Sequence, residues 1–267
     1  MGNLDFDSRV LPKWMSNNKR MKIIRIAHGA AIEMPTGTAL PIRHIIGIGR
    51  NYAAHAAERG AEVPDRPMVF TKNPASACVD GEDIVIPACC TDPATGGGGE
   101  GRSAGQVDFE AELAVVIGEA VKDVSEADAM DAVLGYCCAN DVSARWWQKE
   151  GSGGQFCRGK SFDTFCPLGP SLVPASEIPD PQSLAVRCRV NGETMQDGHT
   201  RDMIFSVPTL ISELSRGTTL VPGTVILTGT PSGVGAGRTP PVFLQQGDSV
   251  EVEIEGIGVL RNGVRSG

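Results

Sequence analysis

Long apolar runs are missing from this sequence: the stretches richest in apolar residues, such as LAVVIG at 113–118, fall far short of the roughly 20 residues a membrane-spanning helix needs. An excess of positive charge is missing too, since 24 Lys and Arg stand against 32 Asp and Glu for a formal net charge of −8. That balance lacks the basic footprint that neutralises nucleic-acid phosphates or anionic lipid, so neither nucleic acid nor membrane is expected as a partner. The eight cysteines include no CxxC and no zinc-type Cys/His cluster, and the adjacent pairs Cys89-Cys90 and Cys137-Cys138 read as reduced, mostly buried thiols. No secretion signal is legible. Residues 1–22 mix Asp5 and Asp7 with Lys13, Lys19, Arg20 and Lys22, so a cytoplasmic or mitochondrial, not secreted, protein is expected. Met1-Gly2 opens like a myristoylation signal, but Phe6 stands where Ser or Thr is wanted. Neither GxGxxG nor GxxxxGK[ST] follows a strand, which removes the phosphate loop a nucleotide-binding oxidoreductase would need.

What is present is a series of short β-rich runs punctuated by Gly and Pro: 45–49, 68–71, 83–87, 112–118, 133–139, 184–190, 224–229 and 249–256. Helical candidates are fewer. They are 51–59, 125–133 with Ser125 as N-cap, 142–150, and 207–215 with Pro208 in its first turn. Their irregular alternation with strands argues for an α+β fold around a curved mixed sheet rather than a doubly wound parallel one. Asn191-Gly192 reads as a hairpin turn, and the glycine run 96–99 inside DPATGGGGEGRSAGQ (92–106) as a surface loop with too little apolar surface to pack. At 267 residues one large domain accounts for the chain, with no internal repeat.

The segment VDFEAEL (107–113) enters a strand, where a period of two puts Glu110 and Glu112 on one face. Two carboxylates held that close raise each other's pKa unless a cation lies between them. Downstream, the apolar run VLGYCCA ends at Asn140-Asp141, an open strand end where a rigid scaffold can present a third carboxylate. Three carboxylates with open positions suit Mg²⁺, with Mn²⁺ or Ca²⁺ possible, better than zinc. Taken alone, a Glu-x-Glu pair is equally common on a solvated edge strand.

The words RNYAAHAAE (50–58), PMVFTKNPAS (67–76), DFEAELAVVIG (108–118), GYCCANDVSAR (135–145), RGKSFDTFCPLGP (158–170), VILTGTPSGVG (225–235) and FLQQGDSVEVEIEGIGVLRN (243–262) resemble, in content and order, those of the fumarylacetoacetate hydrolase (FAH) superfamily. The resemblance covers about residues 41–262. It implies an FAH-type mixed β-sandwich roll with a few short helices, usually a homodimer, with 1–40 as a partly flexible N-terminal segment and 41–267 as the catalytic domain. It implies Glu110, Glu112 and Asp141 as metal ligands. SFDTFCPLGP and PPVFLQQGD in particular resemble a subgroup that includes oxaloacetate tautomerases.

His55 and Glu58, three apart in a short helical stretch, can share a hydrogen bond in which the carboxylate orients the imidazole. Two polar residues on a solvated helix would look the same. The family puts such a pair in a lid over the metal, as a water-activating dyad in its carbon–carbon hydrolases. In the same way the resemblance moves Lys160 from an ordinary surface lysine to one near the metal that stabilises an enolate. Arg145 and Gln148 share a helical face, and Arg145 could fork onto a substrate carboxylate or ion-pair with a core-edge acid; Thr230 offers a hydroxyl at a tight turn of the substrate-binding kind. Two positions depart from the pattern: Trp146 stands where relatives commonly carry Asp, and Arg50 where many have Lys, with the pocket's size and charge at stake. The expected activity is metal-dependent chemistry on a small anionic 2-oxo acid through an enolate. Carbon–carbon bond hydrolysis leads, oxaloacetate keto–enol tautomerisation or decarboxylation is the alternative, and a catalytically inactive metal-binding protein stands behind both.

Overall fold

The computed structural model describes residues 19–58, 62–91 and 106–267; the glycine run 96–99 and residues 1–18 of the N-terminal segment lie outside the described residues. The strands of the first part are β1 (Met21–Ile26), β2 (Gly29–Glu33), β3 (Ala39–Pro41), β4 (His44–Gly49), β5 (Met68–Lys72), β6 (Ala77–Val79) and β7 (Ile84–Ile86). The central part holds β8 (Val107–Asp108), β9 (Ala111–Ile117), β10 (Val133–Asn140), β11 (Ser143–Ala144) and β12 (Cys166–Pro174). The last part adds β13 (Ala185–Val190), β14 (Glu193–His199), β15 (Thr224–Leu227), β16 (Ser249–Ile254) and β17 (Gly258–Ser266). The helices are short: α1 (Ala53–Glu58), α2 (Ala88–Thr91), α3 (Arg145–Gln148), α4 (Phe156–Lys160) and α5 (Val207–Ser215).

The strands form a large mixed sheet in the order β3-β2-β1-β12-β10-β9-β15-β4-β5, with β6 also paired to β12, and a second sheet in the order β14-β13-β16-β17-β7. The central strands β9 and β10 of the large sheet are buried on both faces, which is why ELAVVI and VLGYCCA lack polar alternation. Ile46, Ile48, Leu113, Val115, Ile117 and Tyr136 face the main core, where Val186, Cys188, Val252 and Leu260 of the second sheet meet them. Ile45, Ala114, Val116, Cys137 and Leu227 face a smaller core closed by Met21, Ile23, Ala30 and Ile32. Two sheets packed face to face on one core, with one of them curling around a second, make the mixed β-sandwich roll that the sequence leads one to expect.

Each of the eight β-rich runs contains a strand, and 207–215 is α5, capped by Ser206, whose Oγ accepts from the Thr209 N–H. Asn191 and Gly192 turn between β13 and β14 with φ of 53° and 81°, the left-handed pair a two-residue hairpin requires. Two helical expectations are corrected. Ser125 heads only a turn, followed by a 3₁₀ helix at Ala129–Ala132 before β10 begins. Within 142–150 the chain first pairs as β11 with β8, and α3 starts only at Arg145. Of the segment 1–40, residues 21–33 supply β1 and β2 to the large sheet.

Candidate active site and metal centre

The register between β9 and β10 brings the carboxylates together. Ala111 pairs with Asn140 and Glu112 with Ala139, so the start of one strand lies beside the end of its antiparallel neighbour. The Asp141 N–H continues the ladder to the Glu110 carbonyl at 2.9 Å. Glu110 itself sits just before β9, its N–H donating to Asn140 Oδ1 at 3.0 Å. Ligand atoms of Glu110, Glu112 and Asp141, all buried, lie within 4.8 Å of one another.

Cations surround this cluster unevenly. Lys160, at the end of α4, donates to Glu110 Oε2 at 2.7 Å and to Asp141 Oδ2 at 2.5 Å. Lys72, at the end of β5, donates to Asp141 Oδ1 at 2.5 Å and to the Val142 carbonyl at 3.2 Å. Arg145 Nη1 lies 2.7 Å from Glu110 Oε1, and its Nε donates to Asp108 Oδ2 at 2.8 Å. Burial works to raise the Glu110 carboxyl, but Lys160 and Arg145 win and hold it well below the usual carboxylate range.

Glu112 is different. Among the described residues no cation pairs with it, and its Oε2 accepts the Gly229 N–H at 2.7 Å. Burial, with Asp141 and Glu110 beside it, pushes its carboxyl well above the ordinary range. Asp108, Glu110 and Asp141 together engage Arg145, Lys160 and Lys72, which leaves one buried carboxylate uncompensated. A hard divalent cation bound by Glu110, Glu112 and Asp141 would remove that deficit, and the all-oxygen donor set matches it.

The rest of the site grows from the loops at the same end of the sheet. Beyond β15, the Thr228 and Thr230 hydroxyls donate to the Leu113 and Ala111 carbonyls at 2.9 Å each. Gln196 of β14 donates to Thr230 Oγ1 at 2.7 Å and accepts from the Ala111 N–H at 2.9 Å, so the β9 entrance is pinned from two sides. On α1, His55 Nδ1 lies 3.2 Å from Glu58 Oε2, and Glu58 also accepts the Gly233 N–H at 3.0 and 3.2 Å. The carboxylate is thus fixed by backbone while it holds the imidazole, which is buried.

A cavity of about 110 Å³ is lined by His55, Glu110, Glu112, Arg145, Gln148, Lys160 and Thr230, and by Arg50. The expected site residues converge there, except that Asp141 and Glu58 stand behind the lining, bonded to Lys160 and His55. Arg145 takes the ion-pair arrangement: Asp108, Glu110 and Gln148 Oε1, at 3.0 Å, share its guanidinium. Its Nη2 lies 2.6 Å from Asp108 Oδ2 without hydrogen-bond geometry. Gln148 keeps its amide nitrogen as a donor. Trp146 does not line the cavity. Its ring packs edge-on to Trp147 with centroids 4.9 Å apart, whereas Arg50 forms part of the cavity wall.

Lys72 and Asp108 carry no role in the sequence reading, yet both are buried in the site. Asp108 accepts N–H groups of Phe109, Gly235 and Ala236 besides Arg145, tying the 233–238 loop to the stretch that carries Glu110 and Glu112. A signal for Lys72 existed: period two in MVFTK places it on the inward face with Phe70.

The family model "Fumarylacetoacetate (FAA) hydrolase C-terminal" matches residues 44–265. An oxaloacetate tautomerase of Bacillus subtilis is 48% identical over 224 residues, 83% of this chain and 69% of that protein. A mitochondrial oxaloacetate tautomerase of Xenopus laevis is 47% identical over 220 residues, 82% of this chain. The matched part of the chain spans 65% of that relative, just under two thirds of its length. Among solved structures, a fumarylacetoacetate hydrolase of Exiguobacterium antarcticum superposes with a TM-score of 0.76 at 35% identity, covering 93% of this chain and 99% of that one. A 5-carboxymethyl-2-hydroxymuconate delta-isomerase of Mycobacterium smegmatis gives 0.71 at 36%, covering 92% and 94%.

Proposed function

The chain belongs to the fumarylacetoacetate hydrolase family, and on that premise we propose that it is a divalent-metal-dependent enzyme interconverting the keto and enol forms of a small 2-oxo acid of the oxaloacetate type. The observation that carries this reading is that one cavity is lined both by carboxylates of the acidic triad and by His55, itself held by Glu58. The names of the relatives at 47% and 48% identity support the same choice.

A divalent cation held by Glu110, Glu112 and Asp141 would supply Lewis acidity to a carboxylate and its neighbouring carbonyl. Oxygen donors alone favour Mg²⁺, with Mn²⁺ or Ca²⁺ as substitutes. His55, oriented by Glu58, takes a proton from the carbon beside the carbonyl. The Lys160 ammonium offsets charge developing on the carbonyl oxygen. Return of the proton to that oxygen completes an isomerisation with no net gain or loss of atoms. Gln148, Thr230 and Arg145 line the walls against which the substrate is oriented. Residues 41–267 constitute the catalytic unit in this reading, and a homodimer is the assembly the family resemblance implies.

Carbon–carbon hydrolysis of an acylpyruvate is the second reading, because the same His55–Glu58 pair could orient water toward a distal carbonyl. Ultraviolet turnover assays on enol-oxaloacetate and on acetylpyruvate, with Mg²⁺ and with chelator, separate the two. Tautomerisation requires metal-dependent decay of the enol with acetylpyruvate left intact. Metal-dependent loss of acetylpyruvate alone would replace it by hydrolysis.

A further inference from the structure

Among the described residues, four cationic side chains line the cavity: Arg50, Arg145, Lys149 and Lys160. Arg145 and Lys160 are engaged by Asp108, Glu110 and Asp141. Lys149 is exposed, whereas Arg50 is half-buried and has no ion-pair partner among the described residues. A cation at a cavity wall without a carboxylate of its own is a receptor for one that arrives with a ligand.

The backbone at this position supports the same conclusion. Arg50 follows the end of β4 with φ of 56°, a left-handed conformation that costs an arginine about 1 kcal/mol or more and persists only where the surroundings dictate it. Here they do. The next residue, Asn51, is fixed by its side chain to the Thr228 carbonyl at 2.7 Å, the Phe205 carbonyl at 3.0 Å and the Phe205 N–H at 2.8 Å. On the other side β4 pairs with both β15 and β5. Of the five described non-glycine residues with positive φ, Arg50, Gln106, Asp123, Thr164 and Asn191, Arg50 alone lines the cavity.

We propose that Arg50 selects dicarboxylic 2-oxo acids, its guanidinium receiving the carboxylate remote from the 2-oxo group. This rests on reading the cavity as a 2-oxo acid site, and it adds the residue that makes that site prefer a second negative charge. The site's other buried cations are already balanced by its own acids, so a remote carboxylate gains little from them.

The test is affinity, measured calorimetrically on the Mg²⁺-loaded protein, for oxaloacetate and for pyruvate, which lacks the second carboxylate. Arg50→Gln is expected to weaken oxaloacetate by about 10- to 100-fold, as for loss of a hydrogen bond to a charged group, while pyruvate changes by less than about twofold. Arg50→Lys should regain part of the loss, and Lys149→Gln should leave the preference in place. Equal losses on both ligands, no loss on either, a wild type without preference, or the selective loss appearing in Lys149→Gln would overturn the assignment. A wild type that prefers oxaloacetate but turns none over, with the preference lost in Arg50→Gln, would overturn the tautomerase reading and uphold Arg50.

Discussion

Glu110 and Glu112 leave the same short stretch of chain and meet opposite surroundings, one between Lys160 and Arg145, the other facing a single peptide N–H. Replacing Glu112 by Gln removes the one carboxyl of the cluster that no cation among the described residues pairs with, while keeping an acceptor for Gly229. The metal-free variant is therefore expected to melt at or above the wild-type temperature, yet to lose more than about 100-fold in Mg²⁺ affinity, beyond what outer-sphere changes cost. The raised Glu112 pKa gives a sign to the pH dependence. Burial and the neighbouring carboxylates raise the Glu112 carboxyl in the metal-free protein, so below that raised pKa the ion must displace a proton. Mg²⁺ affinity should fall as pH falls, with proton release visible as binding heats that vary with buffer ionisation enthalpy; affinity independent of pH below neutrality would refute the assignment. Lys72 tests the second layer: Lys72→Met strips Asp141 of one of its two ammonium partners and should cost about 3 kcal/mol in denaturant unfolding. The acidic cluster was legible chiefly through the family resemblance, because a Glu-x-Glu pair beside an apolar run is equally common on a solvated edge strand. Lys72 was not, because a lysine reads as solvated until its strand is known to face inward.

The elements that carry the site are short, and their spacing depends on close backbone contact. Gly159 in α4 sits so near α3 that a Cβ there would press on the Gln148 peptide nitrogen and lie 2.7 Å from the Ala144 carbonyl oxygen. Gly159→Ala should push α4, and Lys160 at its end, away from Glu110 and Asp141. We expect turnover to fall at least about 10-fold, with a stability loss of about 1–3 kcal/mol from overpacking; unchanged kinetics would show that α4 need not be held in place. Strands with β-branched, apolar sequence were legible at this scale, and so was α5 through Pro208 in its first turn. The strand β12 was not, since Pro167, Gly169, Pro170 and Pro174 read as breakers, although it lies between β1 and β10. Here tertiary pairing overrides propensity: the β10 register shifts between Tyr136 and Cys138, opposite the stretch that contains Gly169 and Pro170. The expected helix at 142–150 failed for the reverse reason, as pairing with Val107–Asp108 claims Ser143 and Ala144 before the helix can begin.

At the scale of the whole molecule, both sheets contribute to the site, with Gln196 of the second sheet pinning Ala111 and Thr230 beside the ligand strand. An ion bound there would link them. At Mg²⁺ about 100-fold above its Kd, the native state should gain about 2.7 kcal/mol, raising Tm by about 5–10 °C, and chelator should reverse the shift. The sandwich of two sheets was legible because the motif words stand in the family's order; the β-rich runs by themselves pointed to a curved mixed sheet. The choice between proton transfer and bond cleavage was not, since both use the same cavity and the same His55–Glu58 pair. The most direct test of proton transfer is hydrogen–deuterium exchange at the methylene carbon of oxaloacetate, followed by NMR in D₂O. Exchange should be accelerated by the Mg²⁺-loaded wild type, abolished by chelator, and slowed about 10²- to 10⁴-fold in His55→Ala. Exchange that is untouched by His55→Ala, or not accelerated by the wild type at all, would contradict the account.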